Sequence, residues 1–164
     1  MDLNKFRVAV ITMSDSRSKQ LDKSGQVATE ILERGCYQVV AHQVISDDLD
    51  LIKQTLLDVH AQKVDLIITT GGTGMSPRDN TPEATKAIID KEVPGISEAM
   101  RHHSLQITPK AMLSRGISGI KNQTLIINLP GSPKAVRENL EFILPTLRHG
   151  IEVLRKEVSN CGDT

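Results

Sequence analysis

The apolar run Leu66-Ile-Ile-Thr-Thr70 stops at Gly71-Gly72-Thr73-Gly74. The chain then crosses a polar loop bearing Ser76, Arg78 and Asp79 and enters a helix at Thr81-Pro82. A β-branched run bounded by turn residues predicts a buried strand. A strand, a bare backbone loop and a helix N-terminus in succession form half of a βαβ unit and leave peptide N–H groups free to meet an anion. Phosphate is the ligand this arrangement suggests. The turn lacks both the Gly-Lys-Ser/Thr ending of ATPase P-loops and the GxGxxG spacing of dinucleotide folds.

The preceding residues repeat the pattern. Phe6 to Met13 reads as a strand broken by Ser14-Asp15-Ser16-Arg17-Ser18. A helix follows, capped by Ser24 and running to about Gly35, with Val27, Ala28, Ile31 and Leu32 at helical spacing. Tyr37 to Ile45 is a second strand, and Leu49, Ile52, Leu56 and Val59 mark a helix beginning just after Asp47-Asp48. The order βαβαβα with short connectors calls for parallel strands joined by helical crossovers, hence helices on both sheet faces. Beyond Thr81 the chain is less regular. Helices are predicted over Thr81 to Lys91 and Pro94 to Leu105, broken at Val93-Pro94. Met112 to Ile120 and Thr124 to Leu129 flank Lys121-Asn122-Gln123 as a hairpin. A last helix starts at Ser132-Pro133 and carries Pro145, where a kink is expected. The 164 residues suit one domain, with a core of about 6–155.

Composition narrows the function. With 20 basic and 20 acidic residues and no Lys/Arg block, no field would hold a polyanion, and three aromatic side chains leave no stacking platform. Nucleic acid is not an expected partner. No apolar run reaches the roughly 20 residues needed to span a bilayer, and no leader pattern opens the chain. Cys36 and Cys161 lack metal or disulfide spacing, so a cytoplasmic location is expected.

Asn128-Leu-Pro-Gly-Ser-Pro-Lys134 offers a second anion-ready loop, with Ser132 as cap and Pro133 in the first helical position beside Gly131. Plain capping would explain the same residues; two such loops suit a ligand with more than one phosphate. Asp47 and Asp79 each lie just past a strand, where an open parallel sheet binds its ligands. Carboxylates beside phosphates call for a bridging cation such as Mg²⁺. Asp47 is equally compatible with helix capping, and Asp79 with ordering its own loop. Ser14, Asp15 and Asp22 border the same edge or serve as turn formers. His102 and His103, being adjacent, cannot share a metal as an i, i+4 pair can.

Thr69 to Thr85, Leu113-Ser-Arg115 and Ile127 to Lys134, in that order, together with Asp22-Lys-Ser-Gly25, resemble the molybdenum-cofactor biosynthesis family of molybdopterin adenylyltransferases. That family includes the MoaB and Mog proteins and the G domain of gephyrin. The resemblance runs from about Arg7 to Leu154. It implies a three-layer α/β sandwich with a mostly parallel central sheet and a small β-hairpin subdomain, assembled as homotrimers or homohexamers. It also implies transfer of AMP from Mg-ATP to the terminal phosphate of molybdopterin, with release of pyrophosphate, and hand-over of the product to a molybdenum-insertion protein.

Carried over by position, Asp47 and Asp79 are the implied catalytic residues and Mg²⁺ ligands. Gly71, Gly72, Thr73, Gly74 and Ser76 are implied to contact phosphate and nucleotide, and Ser14, Asp15 and Asp22 to lie near the nucleotide. Asn128, Pro130, Gly131 and Ser132 are implied to form the molybdopterin wall, and Ser114 and Arg115 to be structural or ligand-binding. Asn80 departs from the valine common at its position, and Gly116-Ile117-Ser118 from an Ala-Val-Ala type stretch. Two other readings compete: a non-catalytic molybdopterin-binding or scaffold protein of the MoaB type, and a generic nucleotide-binding regulator.

Overall fold

A computed structural model describes residues 5–16 and 19–155. Strands β1 (Phe6–Met13), β2 (Tyr37–Ile45) and β3 (Leu66–Thr70) alternate with helices α1 (Lys23–Arg34) and α2 (Leu49–Ala61). Then come α3 (Thr81–Ile88), the two-residue β4 (Lys91–Glu92), α4 (Pro94–Leu105), a 3-10 turn at Pro109–Leu113, β5 (Ser118–Lys121), β6 (Thr124–Leu129) and α5 (Pro133–Leu154). The six strands form one sheet in the order β2-β1-β3-β6-β5-β4. β2, β1, β3 and β6 run parallel, whereas β5 is antiparallel to both its neighbours.

Every residue of β3 and β6 is buried, as expected of strands covered on both faces. Alternate residues supply the two cores. Val8, Val10, Leu66, Ile68, Leu125 and Ile127 face the layer of α1, α4 and α5. Ala9, Ile11, Ile67 and Ile126 face α2 and α3. With almost no aromatics available, aliphatic side chains fill both sides, each contributing about 1.5–3 kcal/mol on full burial.

Local chemistry shifts several expected boundaries. Asp22, not Ser24, caps α1, accepting from the Gly25 N–H at 2.9 Å. Asp48 caps α2 by accepting from the Leu51 N–H at 2.8 Å, which leaves Asp47 outside the helix. α3 stops at Ile88 instead of reaching Lys91, because the next residues are taken by the sheet: Asp90 N donates to Ile120 O at 2.7 Å, and Lys91 and Glu92 pair with β5. Residues 112–117, expected in the hairpin, belong to the 3-10 turn and the loop after it, since Thr108 caps the turn and Pro109 pre-sets its start. The hairpin itself turns on Asn122 at φ 51°. It is continuous with the main sheet, because β6 is also the fourth parallel strand. Pro145 lies inside α5 without ending it; Pro145 and Glu141, whose carbonyl loses its helical donor, are both on the exposed face. Cys36 carries a free thiol, and Cys161 lies outside the described residues.

Candidate functional site

The carboxyl ends of β1, β2, β3 and β6 lie side by side, so the loops that follow them share one edge of the molecule. Gly71 and Gly72 leave β3 at φ 85° and 67°, a left-handed region that side chains disfavour. A β-carbon on Gly71 would stand 2.7 Å from the Met13 carbonyl oxygen, and one on Gly72 would stand 2.2 Å from Thr81 Oγ1 and 3.0 Å from Asp47 Oδ1. The loop is therefore pressed against the end of β1, the start of α3 and the Asp47 carboxylate. Thr81 fixes it further, donating from Oγ1 to Gly71 O at 2.9 Å and from its N–H to Gly72 O at 3.1 Å.

The second glycine loop meets the first. A β-carbon on Gly131 would come within 3.3 Å of Gly71 Cα, and the buried Ser24 hydroxyl donates to Gly131 O at 2.6 Å. Ser132 caps α5 through the Ala135 N–H at 3.2 Å, and Pro133 begins the helix.

Between these loops and the layer of α4, the 3-10 turn and α5 opens a cleft of about 430 Å³. The sheet-edge side of its wall contains Gly71, Gly72, Thr73, Gly74, Asp79, Ser114, Asn128, Pro130 and Gly131, all expected from the sequence. The other wall was not anticipated: Ser97, Arg101 and Ser104 from α4, Lys110 from the 3-10 turn, and Glu138 and Asn139 from α5. Their signal was present, since 97, 101 and 104 recur at helical spacing as a polar stripe, and Asn139 interrupts the apolar face of α5. Arg101 Nη1 donates to Gly116 O at 2.8 Å, and Ser104 Oγ donates to Asn139 Oδ1 at 3.1 Å.

Arg115 and Asn128 hold the walls together. The Arg115 guanidinium donates to Gly74 O at 2.7 Å, to Asp79 O at 2.9 Å and to the Glu83 carboxylate, while its N–H reaches Thr73 O at 2.8 Å. Asn128 is buried; its amide donates to Thr69 Oγ1 and Thr85 Oγ1, both at 3.0 Å, and its Oδ1 accepts from Ile117 N at 3.2 Å.

Beside the glycine loop, Asp47 and Asp15 form an acidic group with the cleft-lining Asp79. Asp47, half-buried, abuts Gly72 without lining the main cleft. Burial raises its carboxyl above the ordinary value, the charges of Asp15 and Asp79 raise it further, and Arg78 opposes them. Exposed Asp15 is lowered by the Asp47 N–H, which donates to its Oδ1 at 3.0 Å, and by Arg78, which donates to its Oδ2 at 2.9 and 2.7 Å. Asp79 Oδ2 accepts from the Ser76 N–H at 3.0 Å. Ser14 lies at the foot of this group, its N–H bonded to Ile45 O at 2.8 Å.

Asp22 occupies a different environment. It is fully buried beneath the edge, accepting from Thr12 Oγ1 at 2.6 Å, from His42 Nε2 at 2.8 Å and from the Gly25 N–H. Burial alone would push its carboxyl up, but these donors outweigh burial and leave it below the ordinary value.

Among the described residues, no group of three or more His, Cys, Asp and Glu side chains converges on a metal position. The Asp47 and Asp79 carboxylates beside the glycine loop, only partly offset by Arg78, nevertheless fit Mg²⁺, whose shell is commonly completed by phosphate oxygens and water. None of the described helices is long and apolar enough to cross a membrane.

An open, mostly parallel α/β sheet with two glycine loops meeting at the carboxyl ends of its strands defines the class of α/β proteins that carry their ligand crevice at that edge. Residues 9–149 match the family described as the probable molybdopterin binding domain, and the chain belongs to that family. It is 39% identical over 157 residues to the molybdopterin adenylyltransferase of Helicobacter pylori strain J99, covering 93% of this chain and 89% of that one. It is 42% identical over 162 residues to gephyrin of Dictyostelium discoideum; there the match covers 92% of this chain and spans only 23% of the relative. The crystal structure of the molybdopterin biosynthesis enzyme MoaB from Thermus thermophilus superposes with a TM-score of 0.83 at 44% identity, covering 91% of this chain and 96% of that one.

Proposed function

We propose that this chain acts in molybdenum-cofactor biosynthesis, transferring AMP from ATP to the terminal phosphate of molybdopterin. A terminal phosphate oxygen of molybdopterin attacks the α-phosphorus of ATP. The bond from that phosphorus to the bridging oxygen of the β-phosphate breaks, and pyrophosphate leaves with the bond's electron pair. The reading is carried by the meeting of Gly71 and Gly131, which brings two anion-binding loops into backbone contact beside Asp47 and Asp79.

The glycine loops present N–H groups to phosphates, and the cleft walled by α4 and α5 receives the pterin. Holding both substrates in line removes much of the entropic barrier, so no side-chain nucleophile is needed. Asp47 and Asp79 would hold Mg²⁺, which when bound neutralises phosphate charge. Arg115 keeps the loop shaped, Asp15 orients Arg78 and the Asp47 backbone, and Asp22 supports the edge from below. Ser76 and Ser14 border the nucleotide side. We extend the reading to a cytoplasmic homotrimer or homohexamer that passes its product to a molybdenum-insertion protein. Exposed Leu105, Ile107, Met112, Leu113 and Phe142 favour an assembly.

The test is incubation of the protein with molybdopterin, ATP and Mg²⁺, following pyrophosphate and the mass of the pterin product. The expected result is stoichiometric pyrophosphate and adenylylated molybdopterin. Tight binding of molybdopterin with no pyrophosphate release would leave a binding or scaffold module, and ATP affinity indifferent to molybdopterin would leave a nucleotide-binding regulator.

A further inference from the structure

Asn80 stands at the N-cap of α3 yet does not cap it. Asparagine is among the most favourable residues there because its side-chain oxygen can accept a free helix N–H. Here the side chain turns away, and Nδ2 donates to the Asp47 carbonyl oxygen at 2.9 Å. The start of α3 is held by Thr81 instead, through its bonds to Gly71 and Gly72.

The peptide groups of Asp47 are thereby fixed from two sides: its N–H by Asp15 and its carbonyl by Asn80. Asn80 adjoins Asp79 in the chain, and the Asp79 carboxylate is itself anchored on the Ser76 N–H. One side-chain hydrogen bond thus ties the loop carrying Asp47 to the loop carrying Asp79. Their charges repel, and the tie opposes separation.

We propose that Asn80 is a positioning residue that holds the Asp47 loop against the Asp79 loop before a divalent cation arrives, lowering the cation concentration at which the site fills. The proposal rests on the reading of Asp47 and Asp79 as the cation's ligands. A hydrogen bond of ordinary net strength corresponds to about a three- to ten-fold change in cation affinity.

The experiment is an Mn²⁺ titration, followed by electron paramagnetic resonance of the free ion, with and without a non-hydrolysable ATP analogue. Asn80→Val is expected to raise the Mn²⁺ Kd about three- to ten-fold, and turnover at saturating Mg²⁺ to fall less than cation affinity does. Asn80→Gln, which keeps an amide donor, is expected to recover part of the loss. Should Asn80→Val fail to fold, Asn80→Ser removes the same bond. Unchanged Mn²⁺ affinity in the Val or Ser variant, or a turnover loss with affinity intact, overturns the role of Asn80. Asp47→Asn separates the two ideas: if it leaves Mn²⁺ binding intact, the carboxylate pair is not the cation site; if it abolishes binding while Asn80→Val matches wild type, only the Asn80 proposal falls.

Discussion

Asp22 and Asp47 are both aspartates near strand ends on the same sheet edge, yet their surroundings are opposite. Asp22 is fully buried, but three donors surround its carboxylate and hold its pKa down. Asp47 is less buried, and its pKa is raised by desolvation and by two like charges. Burial alone therefore does not tell a structural carboxylate from a functional one. The donors differ: Asp22 is satisfied by three hydrogen bonds, whereas Asp47 lies beside two negative charges that Arg78 only partly offsets, which is why the proposed reading gives the cation to Asp47 and not to Asp22.

The largest effect that would break this contrast is on turnover. Asp47→Asn should lower the rate of pyrophosphate release about 10²–10³-fold, the scale for losing one transition-state charge contact, while Asp22→Asn should leave turnover per folded molecule within a few-fold. Equal losses in the two variants would erase the distinction. Next comes stability. Asp22→Asn puts an amide among donors and should cost about 2–4 kcal/mol in chemical denaturation. Because the folded pKa of Asp22 lies below its unfolded value, its contribution is present above the unfolded value near 3.8 and disappears as pH falls through the folded one. The acid limb of stability against pH should therefore flatten in the variant.

The glycine loops give a smaller effect. Gly71→Ala meets the Met13 carbonyl at positive φ and should destabilise by about 1–3 kcal/mol. Gly131→Ala meets Gly71 Cα at 3.3 Å and Gly71 N at 3.8 Å and should destabilise less, as thermal melts would show. The smallest effect has the opposite sign. Asp47 has a raised folded pKa, so its ionised form opposes folding above that value. Asp47→Asn should stabilise the metal-free protein at neutral pH by less than about 1 kcal/mol. A destabilised variant would place Asp47 with Asp22 after all.

Much of this was legible because the chain writes its parallel strands as β-branched runs between turn residues. Leu66–Thr70 and Thr124–Leu129 have the expected bounds. The glycine loops were legible for the same reason, as each interrupts a strand-to-helix passage. Asp48 could not be separated from Asp47 as the cap, since adjacent aspartates offer the same chemistry and only backbone geometry chooses between them. β4 was invisible, because two residues carry no periodicity and Lys91–Glu92 become a strand only by meeting β5. Arg101, Lys110 and Asn139 escaped for a related reason: a polar stripe on a helix looks the same whether it faces water or a cleft.

The pairing of β3 with β6 joins residues about sixty positions apart, and the two glycine loops become neighbours only through that pairing. A chain emerging from the ribosome carries Asp47, Asp79 and the first loop well before the second loop exists. Until β6 is made, the first loop lacks the neighbour that the proposed reading sets against a second phosphate. On the proposed reading, neither glycine loop alone can hold both phosphates, so the site depends on a non-local strand pairing, the kind of contact that forms slowly in folding.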